Sequence, residues 1–186
     1  MTGSFLTNQF LIAMPGLEDP NFFHSVTYIC EHNKDGAMGL VINRPMNMQL
    51  GEILEHIDIG DASIEARQIP LYLGGPVQQE RGFVLHMPLG NWEATLQVTD
   101  RIGITSSLDI LDAIAHDTGP EHCLVSLGYA GWGAGQLEQE LADNAWLSGP
   151  ADPDILFKKP DEERWKAAAA TLGVDLDLLS GEAGHA

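Results

Sequence analysis

The feature that most limits the fold of this chain is the spacing of its apolar runs. They are short and closely set, and glycine, proline or asparagine punctuates them. QFLIA at 9–13 reads as a first strand, stopped by Pro15-Gly16. Residues 25–32 and 37–43 read as a hairpin pair, because Asn33-Lys34-Asp35-Gly36 between them is rich in turn formers. Further strands are expected at 71–73, 82–86, 95–99 and 123–129, with a short one at 155–157. Strands this close favour hairpins and antiparallel pairing; a regular βαβ series needs a long crossover between each pair.

Helices are expected between these strands. Leu50, Ile53, Leu54 and Ile57 keep the rhythm of one buried helical stripe. Ser106-Ser107-Leu108-Asp109 reads as a capped start, with an acid against the positive helix end, and the helix closes before Gly119-Pro120. Two more are expected from Gln136 to about residue 145 and from Asp161 to Leu172. The tail from residue 173 is expected to be loosely held. With 186 residues, 44% hydrophobic and 19% charged, the chain suits a single globular domain of α+β class spanning 1–186.

Charge is the firmest constraint on function. Nine basic residues face 27 acidic ones, for a formal −18. Nucleic-acid affinity rests mainly on Lys and Arg displacing counterions, so a nucleic-acid partner is not expected, nor is an anionic membrane surface. The one basic cluster, Lys158, Lys159, Arg164 and Lys166, is interrupted by Asp161, Glu162 and Glu163. The first residues lack a basic leader and two cysteines are too few for a disulfide scaffold, so a cytoplasmic location is expected. A Cys30–Cys123 bridge stays open at this point, because pairing depends on distance.

Cys30-Glu31-His32 is the first candidate site. On a regular strand Val26, Tyr28, Cys30 and His32 share a face. A nucleophilic Cys30 would need a base, with His24, His86 and His116 as distant candidates besides His32; the alternative is a buried, inert thiol. The histidines are dispersed and no metal-ligand spacing occurs, so neither metal nor cofactor is expected. The richest stretch, LVSLGYAGWGAGQLEQEL at 124–141, reads as a strand entering a glycine loop and a helix leaving it. Exposed N–H groups there, at Gly131, Trp132, Gly133 and Gly135, are candidates to hold a small ligand. Neither a dinucleotide fingerprint nor a P-loop is complete. Gly74-Gly75-Pro76 with Arg81, and Asn43-Arg44-Pro45, supply further candidates: two arginines beside turns in a chain poor in cations.

The stretches LIAMPGLEDPNFFHSVTYICEHNKDGAMGLVINRP, LYLGGPVQQERGFVLH, GYAGWGAGQLEQELADNAWL and the closing GHA resemble the YqgE/AlgH family of bacterial proteins nearly end to end. The resemblance implies a compact cytosolic α+β domain, its mostly antiparallel sheet strongly bent into a pseudo-barrel with helices around it. It implies no settled activity and no catalytic residues; some members are named as transcriptional regulators of exopolysaccharide synthesis. The residues favour a non-enzymatic binding or regulatory module acting through a protein partner or small ligand. A Cys30-dependent hydrolase or transferase is the alternative, and a regulator in direct contact with DNA is disfavoured by charge.

Overall fold

A computed structural model describes residues 5–179. Strand β1 (Gln9–Ala13) leads to the hairpin of β2 (Val26–Asn33) and β3 (Gly36–Val41), where Asn33 Oδ1 accepts the Asp35 N–H. Then come β4 (Pro45–Gln49), α1 (Leu50–His56), α2 (Ile64–Arg67), β5 (Pro70–Leu73), β6 (Val77–Met87), β7 (Thr95–Gln97) and β8 (Gly103–Thr105). The chain continues through α3 (Leu108–Ala115), β9 (His122–Gly133), α4 (Gln136–Ala142), β10 (Trp146–Pro150), α5 (Pro153–Phe157), a 3-10 turn at Asp161–Glu163 and α6 (Arg164–Ala170).

The strands form one sheet in the order β10-β1-β2-β3-β9-β6-β8-β7, with β4 and β5 attached beside β9. Every pair is antiparallel except β5 with β9. The sheet is strongly curled into a half-barrel with helices against it, a single α+β domain. β9 is its centre. Its first half lies between β5 and β6, and its last residues, from Ala130 to Gly133, pair with β3.

Successive residues of the central strands enter different layers. Leu85 and Leu124 pack with Phe10, Tyr28 and Leu40 beneath α5 and α6. Their neighbours Val84 and Val125 pack with Leu50, Leu54, Ile110 and Leu111 beneath α1, α2 and α3. Leu11, Ile29, Ala130, Trp132 and Trp146 form a third cluster with Leu137 of α4. Burial on both faces is why these strands read as continuous apolar runs without strict alternation.

Two expectations change. Residues 155–157 form helix α5, not a strand: Asp152 accepts the Asp154 N–H, and Pro153 opens the helix where its missing N–H costs nothing. Of the tail from residue 173, the described part to residue 179 is held more firmly than expected. Leu176 is buried in the core, Leu179 packs against it and Lys166 pairs with Asp177 at 3.0 Å. The closing Gly-His-Ala lies outside the described residues.

The C-terminal helix is fixed by a buried cation. Arg164 is only 5% exposed. Its Nε donates to the Lys159 carbonyl at 2.9 Å, its Nη1 to the Ile42 carbonyl, and its guanidinium lies over the Tyr72 ring. Asp161 pairs with Arg164 at 3.4 Å and accepts the Tyr72 hydroxyl. The basic cluster suggested by composition is therefore dismantled, its arginine spent inside the fold.

On the far side, His116 at the end of α3 reaches Asp61 at 2.8 Å and so ties down the loop before α2. The hydrogen bond with Asp61, then the Asp112 carbonyl, raises the His116 pKa above its ordinary 6.5. The same bond holds Asp61 below 3.8.

Arg164→Met leaves two carbonyls without their donor and Asp161 without its cation, and should cost about 3 kcal/mol of stability in urea unfolding. The His116 contribution is complete below the unfolded value of 6.5 and is lost as pH rises through the higher folded value. That of Asp61 is present above 3.8 and is lost as pH falls through its lowered folded value. The stability gap between wild type and Asp61→Asn should therefore be widest between these limits and shrink at alkaline pH.

Candidate functional site

Strand β2 carries a bulge. Ile29 faces Gly39 and Glu31 faces Met38, so Cys30 is the extra residue. The shared face expected for Tyr28, Cys30 and His32 ends there. Cys30 stays with Tyr28 in the core, where its thiol donates to the Tyr28 carbonyl at 3.7 Å. His32 turns to the N-terminal segment: its Nδ1 accepts the Leu6 N–H at 2.9 Å, and its Nε2 lies 3.4 Å from Glu138 of α4. Burial, and then the charge of Glu31, drives the Cys30 thiol far above its ordinary range. A thiol so held supplies no thiolate.

None of the distant histidines serves it. His86 is buried and held below its ordinary pKa by desolvation. As the neutral ring, it donates from Nδ1 to the Pro88 carbonyl and accepts the Thr105 hydroxyl at Nε2, at 3.0 and 2.7 Å. His116 is engaged by Asp61, and His24 is stacked between Phe23 and Trp165. Cys123 faces His86 across β6 and β9, but burial pushes its thiol up to about 11. Both cysteines are free, which closes the question of a bridge. Among the described residues no three His, Cys, Asp or Glu side chains gather as a metal site.

The remaining candidates separate into scaffold and surface. Asn43 accepts the Val26 N–H and donates to the His24 carbonyl, at 2.9 and 3.0 Å. Arg44 donates to the carbonyls of Pro20 and Phe23, both at 2.6 Å. These two side chains clamp the 14–25 loop and leave no anion pocket at Arg44. Gly74 and Gly75 press their backbone onto β9, where a Cβ would collide with Gly128 and Tyr129. The expected glycine loop is mostly strand: Gly128, Gly131 and Gly133 belong to β9, and only Ala134 and Gly135 precede α4. The Gly133 N–H is taken by Gln136 Oε1 at 2.9 Å, and ladder geometry replaces the N–H nest that the glycines suggested.

Arg81, Gly131 and Trp132 do come together. They line a trough of about 630 Å³ with Glu31, Met38 and Tyr129, floored by the β3–β9 pairing. Arg81 and Phe83 also line a second cavity of about 450 Å³ on the other side of a wide bulge in β6. Four residues, 78–81, stand there between Val77 opposite Tyr129 and Gly82 opposite Leu127. This second cavity is an apolar groove between α1 and α3. Met48, Ile53, Leu108, Leu111, Val125 and Leu127 supply its walls and floor, and Glu52, His56, Glu80 and Arg81 its polar edge. The sequence reading missed it, although Leu108 carried a signal. An apolar residue immediately after a helix cap stands on the outer turn, and it is 59% exposed.

Cys30 should resist iodoacetamide in the native protein at mildly alkaline pH and be alkylated fully in denaturant. Prompt native labelling, mapped by peptide mass, would contradict the burial described above.

The family model described as AlgH-like matches residues 10–177. A UPF0301 protein of Thioalkalivibrio sulfidiphilus is 64% identical over 183 residues, covering 98% of both chains. One of Nitrosococcus oceani is 59% identical over 185 residues, covering 100% of this chain and 99% of that one. The solution structure of the AlgH protein from Pseudomonas aeruginosa superposes with a TM-score of 0.82 at 54% identity, covering 100% of this chain and 98% of that one. The crystal structure of protein DIP2367 from Corynebacterium diphtheriae shares the fold, with a TM-score of 0.72 at 20% identity over 97% of this chain and 94% of that one. Curled sheet, helical layers and sequence agree along almost the whole length: the chain belongs to the AlgH-like, UPF0301 family.

Proposed function

We propose that the protein is a cytosolic, non-enzymatic binding module that takes a segment of a protein partner in the groove between α1 and α3. The observation that carries this reading is the groove itself. It is an open apolar depression of about 450 Å³ with Leu108 standing exposed at its edge. Water over such a surface is released when another apolar surface covers it, at roughly 25 cal/mol per Å². Grooves of this kind between helices accept amphipathic segments through a few apolar anchors. The burial of Cys30 supports the same reading, since the cysteine of the enzyme alternative is sealed in the core. The net charge of −18 weighs against nucleic acid and anionic membrane as the partner.

Gly82 offers a clean test. It lines the groove, and a Cβ added to it meets nothing within 4 Å. Gly82→Leu should therefore fill the groove without moving the backbone. The neutral dye Nile red should fluoresce on the wild-type protein and lose most of that signal on Gly82→Leu, with circular dichroism and the unfolding midpoint retained. Equal dye binding by a folded Gly82→Leu protein would overturn the proposal.

A further inference from the structure

The groove carries a second piece of information, its charge. Four titratable side chains line it: Glu52 and His56 on α1, and Glu80 and Arg81 on β6. Arg81 is turned along the wall. Its Nη2 donates to Ser106 Oγ at 3.2 Å, its Nη1 approaches Gln78 Oε1 at 3.4 Å, and its guanidinium lies 5.3 Å from the Phe83 ring centre. The start of α3 also faces the groove, but its partial positive charge is met by Asp109, which accepts the Ile110 N–H at 2.9 Å.

The carboxylates are less engaged. Glu52 is exposed and accepts the Gln49 N–H through one oxygen at 2.9 Å, closing the capping box of α1. Glu80 is exposed, and among the described residues it forms neither an ion pair nor a side-chain hydrogen bond. The unspent charge around the apolar floor is thus negative, on two different elements, within a protein whose long-range field is strongly negative.

Resting on the reading of the groove as a docking site, we infer that its occupant is a cationic amphipathic segment of a partner protein. The partner's apolar side chains sit on Ile53, Leu108 and Leu127, and its Lys or Arg side chains reach Glu52 and Glu80. Apolar burial holds the segment in place. The carboxylates select its sign and, with the field of the whole molecule, speed its approach. An anionic segment finds Arg81, already bonded to Ser106, and the exposed imidazole of His56, and it meets the two carboxylates.

The experiment uses two fluorescent model peptides of about 15 residues, long enough to form a helix on the surface. Their leucine patterns are identical, with lysine on the polar face of one and glutamate on that of the other. Titrated against the full chain by anisotropy, the lysine peptide should bind about tenfold tighter or better at low salt, as expected for two exposed charge pairs, and the gap should narrow as salt rises. Gly82→Leu should weaken the lysine peptide. The double variant Glu52→Gln, Glu80→Gln should remove most of the preference, with circular dichroism and the unfolding midpoint retained; a glutamine side chain also closes a capping box, so the start of α1 is preserved. Equal affinity for the glutamate peptide overturns the inference. So does a lysine preference that the double variant leaves undiminished, or one indifferent to Gly82→Leu, which marks diffuse attraction to an acidic surface. A concentration-dependent dimer broken by Gly82→Leu assigns the groove to a second copy and overturns it as well. Loss of Nile red response in wild type defeats the docking reading itself, whereas a normal dye response without charge preference defeats only this inference.

Discussion

The structure depends on a close approach of backbone to backbone at the middle of β9. Gly128 has φ of +77°, and a Cβ there would meet the carbonyls of Gly75 and Val77. Gly74 donates its N–H to the Leu127 carbonyl and accepts the Val41 N–H, both at 2.8 Å. At this point β9 passes from one partner to another: β5 lies beside its first half and β3 beside its last residues. Opposite, β6 swings out residues 78–81. Three glycines without side chains let the sheet change partners and curl here; a methyl group on any of them would force the strands apart.

That curl sets up everything on the surface that has functional interest. It throws out the 78–81 bulge, which places Arg81 on the ridge between trough and groove. It also gives the central strands a helical layer on each face, so neighbouring residues such as Val84 and Leu85 serve separate cores. The layers are locked by different chemistry. α6 is held by the buried Arg164 with Tyr72, Asp161 and the Ile42 carbonyl. α4 is held in part by Glu140, whose Oε1 accepts the indole N–H groups of Trp132 and Trp146 at 3.0 and 2.9 Å. Between α1 and α3 no side chain among the described residues closes the space, and apolar surface remains open.

Much of the fold was legible because it rests on local signals. Asn33 and Gly36 mark the first hairpin, Ser107 and Asp109 begin α3, and of the stripe Leu50, Ile53, Leu54 and Ile57 the two leucines are buried and the two isoleucines half-buried at the groove. The errors have local causes too. Ile155-Leu156-Phe157 has strand composition, yet Asp152-Pro153 before it is a helix start. β10, with sequence WLSGP, was missed because Ser-Gly-Pro reads as a turn; it is a strand only because β1 supplies its partner. The candidate site was less legible. Glycine clusters and arginines announce that the backbone does something unusual, and here most serve packing: Asn43 and Arg44 as loop clamps, Gly74 and Gly75 as contact points, Gly133 as a strand end.

The sequence alone determined the α+β class, the predominance of antiparallel pairing, the family and the acidic character, since each follows from composition, from spacing along the chain or from extended motifs. Only the tertiary structure decided the fate of individual groups. A single bulged residue sends Cys30 into the core and His32 away from it. Arg164 is drawn inside, while Arg81 is left at the groove. Leu108, Ile53 and Leu127 become neighbours although they lie far apart in the chain. Burial and proximity are properties of pairs of distant segments, and no local pattern of residue types encodes which pairs will meet.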